Sequence, residues 1–214
     1  MIAGSCCMTG MYDVIMCETK EDIDMKKDIG VIPAVYPMPV LMVAAYDENE
    51  KVNVMNVAWG QICGGDKIIL FIGEGKKTWL NIKESKAFTV ALADVDHVDV
   101  ADFFGIASGN DMEDKFERTG YHAVKSDKVN APIIDEFPLA MECELLEFLK
   151  TDHVQGVVGR IVNVKANEEV LDENGKVVPA KLKTFAYDEF QKGYNIVGEP
   201  FAKAWNAGAD LMKK

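Results

Sequence analysis

The chain has 214 residues, 49% hydrophobic and 27% charged, ordinary values for one globular domain able to bury a sizeable core. Its 35 acidic and 23 basic residues leave a net charge of −12, a surface that repels nucleic-acid phosphates and anionic lipid, so an anionic ligand has to be gathered by a local basic pocket. No apolar run approaches the roughly 20 residues of a membrane helix, and five cysteines without CxxC spacing fit a reducing cytoplasm better than a disulfide framework or a zinc site.

Residues 1–24 carry three cysteines and then an acidic patch (Glu18, Glu21, Asp22, Asp24). They lack the charged start and continuous apolar core of a signal peptide, and read as a flexible N-terminal extension without chemistry. The neighbours Cys6 and Cys7 would form only a strained disulfide. A domain is expected over 25–198. Pro33, Pro37 and Pro39 exclude helix and lead into VLMVAAY (40–46), a buried strand. DENEK (47–51) is a polar hairpin turn, and 52–58 returns antiparallel with near-alternating burial.

KIILFIG (67–73) reads as a buried strand ending at Gly73. Glu74-Gly75-Lys76-Lys77 is a turn, and Thr78 is placed to cap the helix TWLNIKES, with Trp79, Leu80 and Ile82 on its buried side. Strand, glycine turn and helix start together make an anion site, with free N–H groups, a dipole end and a hydroxyl. The alternative is an ordinary connection with two solvated lysines. AFTVALA (87–93) is a further strand, followed by a short helix capped by Asp94 or Asp96. Asp94, Asp96, His97 and Asp99 resemble metal ligands by type, but capping explains carboxylates there better.

SGNDMEDKFERTG (108–120) is a loop entering a short helix that stops at Gly120, and by composition Lys115 and Arg118 are solvated helix charges. In PLAMECELLEFLKT (138–151) Leu146 breaks a strand alternation, which suggests a bulge. A long strand is expected from His153 onward, a tight turn at Asn174-Gly175, and a last short strand near Tyr187 and Tyr194. Residues 199–214 read as an amphipathic helix packed on the domain through Phe201, Trp205, Ala209 and Met212. The fold class is mainly β with flanking helices, barrel-like, with about six or seven strands.

NVMNVAW (53–59), GKKTWLNIKES (75–85), SGNDMEDKFERTG (108–120) and DHVQGVVGRIVNV (152–164), in that order, resemble the flavin reductase-like family over roughly 30–198. The resemblance implies an FMN-binding split β-barrel and a homodimer. It also implies a reductase in which NADH or NADPH reduces flavin, and which passes electrons to free flavin or a redox partner protein. A flavoredoxin-type carrier without its own nicotinamide turnover, and a split-barrel module holding another cofactor, are the alternatives.

By the same resemblance, Asn53 and Trp59 flank the flavin, and Asn56, Val57 and Ala58 lie along the ring edge. Lys76, Lys77 and Thr78 meet the phosphate, with Asn81 one helical step on. Ser108 and Lys115 close over the cofactor, and His153 stands near the nicotinamide or the flavin ring. Lys76 replaces a frequent Arg, and Asn56 and Ala58 replace a frequent Thr and Ser.

Overall fold

The computed structural model describes residues 26–213, so the segment 1–24, expected to be a flexible extension, lies outside the described residues. Residues 26–33 are exposed and without regular structure, and fall in a separate unit from Ala34–Lys214. In the second unit the elements run β1 (Met38–Pro39), β2 (Leu41–Tyr46), β3 (Val52–Val57), β4 (Gly60–Gly64), β5 (Lys67–Leu70), α1 (Lys77–Ser85), β6 (Ala87–Leu92) and α2 (Val98–Ile106). They continue as β7 (Ala123–Lys125), β8 (Pro132–Ile134), β9 (Leu139–Lys150), β10 (Gln155–Ala166), α3 (Pro179–Leu182), β11 (Phe185–Asp188) and β12 (Gly193–Ile196).

Seven strands form one antiparallel sheet in the order β3-β2-β6-β9-β10-β5-β4. Its two edge strands, β3 and β4, are consecutive in the chain, and only Ala58 and Trp59 separate them. Three peptide steps span at most about 11 Å. The two edges are therefore forced close together at that corner, and the sheet has to curl into a barrel. β3 and β4 do not pair, so the barrel is split along this seam. A three-stranded sheet (β1-β11-β12) and the hairpin β7-β8 complete the unit.

All six residues of β2 are buried, because its period of two serves two cores. Leu41, Val43 and Ala45 join Ile68, Leu70, Phe88 and α1's Trp79 and Ile82, whereas Met42 and Ala44 join Val54, Ile134 and α2's Ala101 and Phe104. The β9–β10 ladder pairs Val158 with Glu147 and Gly159 with Leu145, which leaves Leu146 as the extra residue of a bulge, as its broken alternation predicts. Gly159 permits the close approach of Phe88, whose Cζ would lie 2.4 Å from a Cβ there.

Several sequence expectations are corrected. Thr78 is not the N-cap of α1: Lys76 holds that position, no side chain caps the helix, and Thr78 is buried inside it. Leu80 is exposed, since it falls off the stripe formed by Thr78, Trp79, Asn81 and Ile82. GQICG forms a strand of its own, and the residues after Lys115 make only a 3₁₀ turn (Glu117–Thr119), ended by Gly120 at φ 69°. β10 begins at Gln155, leaving His153 in the preceding turn.

The segment 199–214 is not an α-helix. Its described part is irregular with one 3₁₀ turn at Ala209–Met212, and Phe201, Trp205 and Met212 are exposed. A short helix needs a surface to pack its apolar face upon, and these exposed side chains have none within the described chain. Pro200 and Gly208 add to the cost.

Candidate functional site

The seam that splits the barrel also opens the site. Beyond Val57 the chain turns through Ala58 and Trp59, and the Trp59 carbonyl accepts the Phe71 N–H at 2.8 Å, which ties the corner to the end of β5. A cavity of about 420 Å³ lies against this corner. Met55, Val57, Trp59 and Phe71 give it apolar and aromatic walls, α2 adds Asp102, Gly105 and Ile106, and the strands β11 and β12 add Tyr187 and Tyr194. Trp59 is half exposed at its edge. A flat aromatic ligand suits such a slot.

A second, smaller cavity of about 50 Å³ has Met55, Lys76 and Gly105 in common with the first, so the two adjoin. Its character is different. Lys76, Lys77 and Lys115 line it together with the hydroxyl residues Thr78 and Ser108, and the Lys77 ammonium is turned toward Asp47, outside this lining. It lies at the uncapped start of α1, where first-turn N–H groups lack a side-chain partner. Thr78 Oγ1 accepts from Asn53 Nδ2 at 2.8 Å, which leaves the hydroxyl proton for another acceptor.

Lys115 is the unusual member. It is only 4% exposed, and its Nζ donates to the Phe104 carbonyl at 3.0 Å. An ammonium has three hydrogens, and among the described residues this is its one hydrogen bond to protein. Burial, with the charge of Lys76 adding, pushes its pKa down to about 8. A buried, under-partnered cation in a chain of net charge −12 is a site that favours an anion.

The loop from Ser108 is drawn over this pocket. Asn110 Nδ2 donates to the Gly75 carbonyl at 2.8 Å and so fastens the loop to the turn before α1. Gly109 is required by closeness: a Cβ there would lie 2.2 Å from Asn53 Oδ1 and 3.1 Å from Lys77 Cβ. Lys77 Nζ also meets Asp47 Oδ2 at 3.4 Å.

Of the sequence-predicted residues, Asn53, Asn56, Val57, Ala58, Trp59, Lys76, Lys77, Thr78, Ser108 and Lys115 line one or both cavities. Asn56 is partly committed, since its Nδ2 donates to the Ala101 carbonyl at 3.0 Å. Lys115 is not the solvated helix charge its composition suggests. Asn81 is not brought to the site: it is buried, and its Nδ2 points to the Ala45 carbonyl at 3.4 Å. His153 is exposed and lines a separate hollow of about 340 Å³ with Gln155, next to the slot through shared Phe71 and Gly73. Sequence reasoning missed Phe71, Asp102, Tyr187 and Tyr194. Only the aromatic content of β11 and β12 hinted at the last two.

The residues present fit a planar ring joined to a phosphate, with the ring in the apolar slot and the phosphate among three lysines, two hydroxyls and a helix start. The family model described as flavin reductase like domain matches residues 34–188. Among solved structures, the chain is similar to the flavoredoxin of Desulfovibrio vulgaris (Miyazaki F), at 34% identity and TM-score 0.81, covering 86% of this chain and 100% of that one. It is similar in fold to the flavoredoxin from Methanosarcina acetivorans, at 24% identity and TM-score 0.79, covering 87% and 100%. An FMN-binding protein from Thermus thermophilus with bound 1-cyclohex-2-enone shares the fold at 22% identity and TM-score 0.67, covering 83% and 98%.

Proposed function

The chain belongs to the flavin reductase like domain family, and from that premise we propose that it binds FMN without a covalent link and acts as an NAD(P)H-dependent flavin reductase. The observation that carries the proposal is the adjoining of an apolar slot and a pocket with three lysines around the start of α1. Bound FMN supplies the redox chemistry, and the chain binds, orients and shields it. Lys76, Lys77, Thr78 and Lys115 hold the phosphate. Trp59, Met55 and the 56–58 segment flank the ring. His153, exposed in the neighbouring hollow, is available to a nicotinamide donor rather than to the phosphate.

A second reading, a flavoredoxin-type electron carrier, is favoured by the 34% identity to a flavoredoxin over that chain's full length. Anaerobic addition of NADH and NADPH to the FMN-loaded protein separates the two. Bleaching of the flavin absorption within turnover time supports the reductase. A flavin that stays oxidised with both nucleotides, yet is reduced by dithionite, supports the carrier.

The protein is further proposed to be a homodimer, the open seam being closed by a second copy, and a monomer by light scattering that still carries flavin would defeat this. Among the described residues no helix is long and apolar enough to cross a membrane. A cytoplasmic location is proposed from the cysteine usage, five cysteines without CxxC spacing. Residues 1–24 are proposed to be dispensable, so a chain starting at Met25 should fold and retain flavin.

A further inference from the structure

Tyr194 on β12 and Asp102 on α2 stand 92 positions apart in sequence and meet in the wall of the ring slot, where Tyr194 Oη donates to Asp102 Oδ1 at 2.7 Å. The phenol ring is fixed from behind. Phe185 packs edge-on against it, with centroids 5.1 Å apart, and Tyr187 lies tilted at 6.0 Å. Burial first, and then the hydrogen bond and charge of Asp102, push the phenol well above its ordinary pKa, against a smaller opposing effect of the Asn56 amide beside its oxygen. It therefore stays protonated, with its one hydrogen committed to Asp102.

A phenol oxygen with its hydrogen spent is an acceptor only. The carboxylate beside it is also an acceptor only. Most of the slot is apolar or aromatic, and this corner sets two acceptors, Tyr194 Oη and the Asp102 carboxylate, beside the Asn56 amide, whose Nδ2 already donates to the Ala101 carbonyl. A ligand that covers it with carbon strips water from both groups and returns nothing, whereas a ligand that brings an N–H restores the lost bond.

We propose that the Tyr194–Asp102 pair is a specificity-determining element that accepts an amide-type N–H from the planar ligand in the slot. This rests on the FMN reading. Two molecules carry such a group: the flavin ring, through its imide N–H, and a nicotinamide donor, through its carboxamide. Asp102 acts through Tyr194 as a positioning residue.

The test uses the full-length protein, first with FMN and 3-methyl-FMN, in which the imide hydrogen is replaced by methyl. The FMN-loaded protein is then titrated with NADH and with the reduced acetylpyridine analogue, which lacks the carboxamide. Tyr194→Phe and Asp102→Ala should weaken binding of the N–H-bearing ligand roughly 3- to 10-fold, the range of one neutral hydrogen bond. The same substitutions should leave the matching analogue unchanged, and Asp102→Asn, which keeps an acceptor for the phenol proton, should retain most of the affinity. Loss confined to FMN assigns the flavin imide, and loss confined to NADH assigns the carboxamide. Should a variant not fold, wild type alone must still prefer one N–H-bearing ligand over its analogue by a similar factor. Equal losses for ligand and analogue, or no loss for either pair, overturn the inference while FMN binding by wild type stands. A wild type that holds no FMN defeats the underlying reading itself.

Discussion

Replacing Lys115 by methionine isolates the phosphate contribution from the rest of the site. Methionine keeps an unbranched stem of similar length, so the packing beneath Phe104 is largely preserved. Lys115 is buried and spends one hydrogen on the Phe104 carbonyl, which leaves two for a ligand. A hydrogen bond to a charged group contributes about 1.5–3 kcal/mol. At roughly 1.4 kcal/mol per factor of ten, Lys115→Met should weaken FMN binding by roughly 10- to 150-fold. Riboflavin lacks the phosphate, so its affinity should be nearly unchanged. The unliganded fold should survive: the Phe104 carbonyl loses a donor, at about 1–3 kcal/mol, but a desolvated charge is removed with it. Calorimetric titration of wild type and variant with FMN and with riboflavin supplies all four affinities. If Lys115→Met weakens both ligands equally, or neither, the placement of the phosphate beside Lys115 is wrong.

Three further outcomes follow from the same geometry. The Lys115 pKa of about 8 lies below the ordinary 10.5, so between those values the unfolded chain holds more protons than the folded one and unliganded stability rises with pH. A bound phosphate favours the ammonium, so binding takes up a proton in that window. FMN affinity in wild type should therefore fall as pH rises past about 8, and Lys115→Met should lack this fall when titrated across pH 7–10. Gly109→Ala places a Cβ 2.2 Å from Asn53 Oδ1, and overpacking of about 1–3 kcal/mol should appear as weaker FMN binding by fluorescence quenching, whereas unchanged affinity would show that the loop yields freely. His153→Ala should keep FMN and slow its reduction by NADH or NADPH roughly tenfold through lost positioning, and unchanged stopped-flow rates and nicotinamide affinity would remove His153 from the mechanism.

The parts of the fold legible in the sequence are those fixed by local periodicity. β2, the Asp47–Lys51 turn and the Leu146 bulge each leave a signature within a few residues, because a strand's side chains alternate and a turn needs its own hydrogen bonds, here Asp47 Oδ1 accepting from Asn49 and Lys51. The anion end of the site was readable for the same reason, as strand, glycine turn, lysine pair and helix start adjoin in sequence. What was not legible depends on contacts across the chain. By composition Lys115 looks solvated, and only the family resemblance puts it over the cofactor; its burial comes when the loop folds its ammonium under the Phe104 carbonyl. Asn81 shares a helix with Thr78, yet its amide is drawn to Ala45 on β2. Tyr194 and Asp102 meet only because β12 returns beside α2. The C-terminal segment shows the reverse error, since among the described residues its amphipathic pattern has no surface to pack against.

The proposed function requires that FMN be held by its phosphate in the pocket of Lys76, Lys77, Thr78 and Lys115. Gel filtration after reconstitution with equimolar FMN or riboflavin, read by visible absorption of the protein peak, tests it most directly. The expected result is a yellow protein peak carrying one FMN per chain with a perturbed flavin spectrum, and little or no riboflavin. FMN that elutes free, or riboflavin retained as well as FMN, would contradict it.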